Sequence, residues 1–71
     1  MQARFEVVVS GPASAVLLDV LEGFEQRPGA PGRTRLVGSL PDDAALHGAL
    51  HRLQDLRIEL IGVRRLEVDE T

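Results

Sequence analysis

Pro41-Asp42-Asp43-Ala44-Ala45-Leu46-His47-Gly48-Ala49-Leu50-His51-Arg52-Leu53-Gln54-Asp55-Leu56 is the stretch whose reading decides the architecture. Pro41 stops the segment before it, and Asp42 is well placed to cap the first turn of a helix. Leu46, Ala49, Leu50, Leu53 and Leu56 then recur at helical spacing and make one apolar stripe. The span therefore reads as an amphipathic helix lying on something apolar. Both histidines of the chain are on it.

Working outward, Arg33 to Leu40 is strand-like, and the turn formers Pro28-Gly29-Ala30-Pro31-Gly32 set it apart from the short run Phe24 to Arg27. A hairpin fits these two segments. Arg4 to Ser10 is β-branched and partly alternating, which predicts a strand. Gly11-Pro12 breaks it, and Ser14 can cap a helix in which Val16, Leu17, Val20, Leu21 and Phe24 share a face, ending near Gly23. On the other side, Arg57 to Leu66 predicts a closing strand. Residues 1–3 and 67–71 are expected to fray.

The order strand, helix, strand, strand, helix, strand is the split βαβ plan. Right-handed crossovers place both helices on one face of an antiparallel sheet, so the expected fold is an α+β, ferredoxin-like βαββαβ plait spanning 1–71 as one domain. A three-stranded rival drops the weak second strand, because Pro28 and Pro31 limit pairing there. If Phe5, Val7 and Val9 face the helices, Val8 faces outward, with Val37, Ile61 and Val63 expected beside it. That outer face reads as too apolar for bare solvent, which predicts a homodimer or protein-partner interface.

Composition narrows the function classes. At 71 residues the core is small, and association would stabilise it. No cysteine is present, which removes disulfides, thiolate nucleophiles and cysteine-ligated zinc. No targeting segment or membrane span is recognisable, so a cytoplasmic location is expected and a membrane partner is not. All eight basic residues are arginine, the formal net charge is −3, and Phe5 and Phe24 are the only aromatics. Nucleic acid is not expected as a partner on that balance, since a basic excess and a stacking platform are both missing. The arginine-only basic set fits a GC-rich bacterial genome.

Several residue sets have chemistry at the right spacing. Asp43, His47, His51 and Asp55 follow one another at four-residue steps and form a stripe beside the leucines. Two histidines at i and i+4 with a carboxylate are a metal-ligand spacing for zinc, nickel or copper. The plainer reading is a solvated helix surface, with His47 packed at the helix edge. The Gly11-Pro12 turn leads into a helix N-terminus that can attract an anion. The pairs Arg33/Arg35 and Arg64/Arg65 can bind an anion or merely keep strands soluble. Gly48 within the helix costs about 1 kcal/mol relative to alanine and predicts a close approach by another backbone. No serine or buried acid stands out as a partner for either histidine. No catalytic constellation and no cofactor are expected.

The run Gly32 to Leu50, continued by Leu53, Asp55-Leu56, Leu60 and Val63, resembles a family of small actinobacterial hypothetical proteins. Its pattern is a Gly-x-Thr-x-Leu-x-Gly strand followed by an Asp-[Gln/Asp]-Ala-Ala-Leu-His-Gly helix start, here Asp42 to Gly48. Asp43 replaces the usual glutamine. The family has no assigned activity, so the resemblance implies the fold and a bacterial origin, and it makes His47 part of the pattern while His51 is not. The βαββαβ plan is also similar in topology to ACT-type regulatory domains. Those bind small effectors at a dimer interface, which implies the Gly11-Pro12-Ser14 loop here.

Overall fold

Ala3–Ser10 forms the first strand, β1, and its alternation sets up the molecule. Ala3, Phe5, Val7 and Val9 are all buried on one side of it, with Val7 wholly inaccessible. The computed structural model describes residues 2–66. After β1 come α1 (Ala15–Val20), β2 (Glu25–Arg27), β3 (Arg33–Leu40), α2 (Asp43–Asp55) and β4 (Leu60–Leu66). The strands make one antiparallel sheet in the order β2-β3-β1-β4, with β1 and β3 central. The fold is an α+β, ferredoxin-like plait. Glu25, Gln26 and Arg27 pair with Val37, Leu36 and Arg35, so the second strand exists and the three-stranded rival is set aside.

One side of the sheet is sealed by the helices. Val7, Val9 and Leu36 pack with Leu17 and Leu21 of the first helical segment and Leu53 of α2, while Ala3, Phe5 and Leu46 close the other end. Each buried leucine contributes roughly 2 kcal/mol of transfer free energy, so these few side chains carry most of the stability of so small a domain. Phe24 lies against Gly38 of β3. A Cβ at Gly38 would stand 2.5 Å from two of the ring carbons, so glycine there is the seat of the ring. Thr34, also on this face, donates its hydroxyl to the Gly11 carbonyl at 2.7 Å and ties the end of β1 to β3.

The helix ends follow local chemistry. Ser14 Oγ accepts from the Leu17 amide at 3.1 Å and starts α1; Asp42 Oδ1 accepts from the Ala45 amide at 2.9 Å and starts α2. Helix α2 closes in a Schellman arrangement, with Ile58 N–H donating to Leu53 and Arg57 N–H donating to Gln54. Arg57 occupies the left-handed position of that motif at φ 60°, where glycine is the usual residue.

Several boundaries differ from expectation. Ala3 opens β1 and is buried, so the ordered chain begins before Arg4. The charged segment 67–71 lies outside the described residues. Helix α1 ends at Val20 rather than near Gly23, because three residues of turn follow it, and Val16 is half exposed instead of facing the core. The stripe on α2 stops at Leu53. Leu56 is the C-cap and 46% exposed, since the chain has begun to reverse there. The closing strand starts at Leu60, because Arg57 and Ile58 are spent on the helix terminus.

Candidate binding face

The side of the sheet away from the helices is assembled by strand register. Arg4, Glu6, Val8 and Ser10 of β1 face Ser39, Val37, Arg35 and Arg33 of β3. On the other flank, Arg64 and Gly62 of β4 stand opposite Glu6 and Val8, and β2 adds Glu25 and Arg27 opposite Val37 and Arg35. Among the described residues, five of the eight arginines and two of the eight acidic residues therefore share this face. Its formal charge is +3, whereas the other described residues hold three arginines and six acids.

Glu6 sits at the centre. Its side chain is 11% exposed, Arg35 Nε donates to Oε2, and Arg64 Nε donates to Oε1 at 2.9 Å. The hydrogen bond from Arg35 is the largest influence holding the carboxyl below its ordinary value near 4.5. Burial opposes it, and the Arg64 bond and both guanidinium charges add to it. Glu6 is thus ionised at neutral pH, and each arginine is fixed through its inner nitrogen. One terminal nitrogen of Arg35 donates to the Pro28 carbonyl at 3.3 Å, and the Arg64 side chain is two-thirds exposed. Arg27 pairs with Glu25 at 2.9 Å. Among the described residues, Arg4 and Arg33 have no ion-pair partner.

The residues singled out from the sequence fall in different places. Val8 and Val37 do lie on the open face, Val37 at 5% exposure beside Glu6. Val63 does not: it stands opposite Val7 and packs into the core under the helices. Ile61 is the extra residue of a bulge in β4, between Leu60 opposite Val9 and Gly62 opposite Val8, and is 40% exposed. The face read as apolar is chiefly charged, because single intervening residues of otherwise apolar strands supply Glu6, Arg35 and Arg64.

Of the loop candidates Gly11, Pro12 and Ser14, Gly11 and the Ser14 hydroxyl are engaged within the fold. Gly11 N–H donates to Gly32 at 2.7 Å, its carbonyl accepts from Thr34, and Ser14 Oγ caps α1. Gly11 is at φ 90°, which is what its residue type serves. On α2, His47 and His51 are both exposed, so His47 is not packed at the helix edge. His51 Nδ1 lies 3.9 Å from the Asp55 carboxylate, with both side chains over 70% exposed. Among the described residues no three His, Asp or Glu groups come together as a metal cluster, so the Asp43/His47/His51/Asp55 stripe is an open helix surface. Gly48 faces empty space, with no heavy atom within 4 Å of an added Cβ, and no backbone approaches it. No described helix is long and apolar enough to cross a membrane.

Glu6 was missed in the sequence because a lone acid inside Phe5-Glu6-Val7-Val8-Val9 reads as an ordinary solvent-facing position. The available signal was Arg35 and Arg64, each mid-strand at a position whose alternation places it on the same face.

Fold and face together define a small α+β plait with one helix-covered sheet surface and one arginine-rich open surface. The chain belongs to the family described as Domain of unknown function (DUF8691), whose pattern it matches over residues 4–64. No curated protein and no solved structure matches it significantly.

Proposed function

We propose that this domain is a non-catalytic interaction module that works through its open sheet face. The observation that supports this most is the concentration of five arginines around a doubly hydrogen-bonded Glu6 on a surface that no element of the chain covers among the described residues. Glu6 is buried and shifted, yet two guanidiniums hold it ionised, which suits positioning of charge rather than proton transfer. Neither histidine has a hydrogen-bonded nucleophile or buried acid beside it among the described residues.

A two-fold sheet-on-sheet homodimer, the association expected from composition, would set +3 against +3 across the interface, which is repulsive. Pairing through the free edge of β4 is hindered by the bulge at Ile61. The reading adopted is therefore a protein partner of different chemistry. An intracellular, bacterial setting and the actinobacterial resemblance of the Leu46-His47-Gly48 segment belong to the same proposal.

Site-specific photo-crosslinking tests it. A photoreactive residue at Val8 or Ser39 is expected to give discrete adducts in cells of the source organism, and one at His51 or Gln54 is expected to give none. Adducts confined to the α2 positions would overturn the assignment of the open face.

A further inference from the structure

Resting on that reading, we infer that the occupant of the open sheet face is an acidic segment of a partner protein, bound through carboxylates on Arg4, Arg33, Arg35 and Arg64. Charge complementarity carries the argument. The face holds +3 while the other described residues hold six acids and three arginines, so the described molecule carries opposite charge on and off this face. An anionic partner is steered to one side only and repelled by the other.

Glu6 makes this surface more than a scatter of surface charge. By taking one Nε–H from each of Arg35 and Arg64, it neutralises one charge and fixes both side chains across β3, β1 and β4. The two guanidiniums are thereby pre-oriented while their side chains stay 38% and 67% exposed, which lowers the entropy lost when a carboxylate is bound by their remaining N–H groups. Arg33 stands opposite Ser10 at one end of β1 and Arg4 opposite Ser39 near the other. The basic surface therefore runs along the strands for about six residues, roughly 20 Å at strand rise, the reach of a short extended segment with several acids.

A protein segment fits better than a nucleic acid. Phe5 is buried under the helices and Phe24 packs against the core from the same side, so the open face offers no ring on which a base can stack.

The test measures anisotropy of a fluorescein-labelled hexaglutamate peptide added to the full chain at about 50 mM salt, where exposed charges are weakly screened. Saturable binding is expected, weakening several-fold at about 200 mM salt. The double variant Arg4→Gln/Arg33→Gln leaves the Glu6 cluster in place and is expected to bind at least tenfold more weakly, whereas Arg52→Gln on α2 is expected to bind as the parent does. No binding, or equal binding by the double variant, overturns the proposal. So does a labelled oligothymidylate of matched charge that binds as tightly, which would make the face a nucleic-acid surface. Self-association in sedimentation at the same salt would make a second copy the occupant. A tenfold gain on Glu67→Gln/Asp69→Asn/Glu70→Gln would make the chain's own acidic end the occupant. The interaction-module reading fails separately: crosslinks at Val8 and Ser39 to a partner without an acidic segment would keep that reading and remove this inference.

Discussion

The two faces of the sheet are written in the same strands and obey different rules. On the helix side, Phe5, Val7, Val9 and Leu36 are nearly inaccessible, and each touches apolar neighbours from α1, α2 or both ends of the core. One residue away on the opposite side stand Arg4, Glu6, Arg35 and Arg64, with Glu6 ion-paired to both Arg35 and Arg64. The inner face stabilises the fold and leaves almost nothing to vary. The outer face is where this small domain has room for specificity, because a substitution there costs little unless it strands Glu6.

The largest effects are expected on the inner face. Leu36→Ala should destabilise by about 3 kcal/mol, enough to unfold much of a marginal 71-residue domain, and urea titration followed by circular dichroism checks it. Gly38→Ala should cost about 2 kcal/mol, because the new methyl collides with the Phe24 ring; Gly38→Ala/Phe24→Leu should recover part of the loss. If both changes were neutral, the inner face would be looser than its packing indicates.

Glu6→Gln probes the outer face. The loss should be about 1–2 kcal/mol, below that of a fully buried pair because both guanidiniums reach solvent. Its pH dependence has a definite sign. The folded-state pKa of Glu6 is lowered, so its contribution is complete above the unfolded value near 4.5 and is lost as pH falls through the lower folded value. Melting temperatures between about pH 6 and pH 3 should therefore fall more steeply for the parent than for Glu6→Gln. Parallel curves would remove Glu6 from the account.

The smallest effect is a gain. Gly48→Ala on α2 should add about 1 kcal/mol, since the helix interior disfavours glycine and nothing occupies the space beside it. A loss on that substitution would mean that something does approach Gly48 in solution.

The sequence displayed the second half of the plait clearly. Pro41, Asp42 and the spacing of Leu46, Ala49, Leu50 and Leu53 mark α2 with stop, cap and stripe together, and β1 and β3 follow from β-branched alternation. Boundaries were blurred where one residue type suits two structures. Leu56 continues the helical spacing yet serves as a cap, and Arg57 gives no hint of the left-handed turn that a glycine would have announced. The site was less legible than the fold for a related reason. Helix stripes such as Asp43/His47/His51/Asp55 are contiguous in sequence and easy to see, whereas Glu6, Arg35 and Arg64 meet only through strand register, 29 and 58 residues apart. The expectation that Val63 faces outward would have turned Arg64 toward the helices, and only the pairing of β1 with both β3 and β4 brings the three into one cluster.

Amide chemical-shift mapping of the full chain during titration with unlabelled hexaglutamate tests the division between the two faces most directly. The account predicts that the largest shifts fall on Arg4, Glu6, Val8, Arg35, Val37 and Arg64, while α1 and α2 stay still. Shifts centred on α2 or the Gly11 to Ser14 loop, or none at all at millimolar peptide, would contradict it.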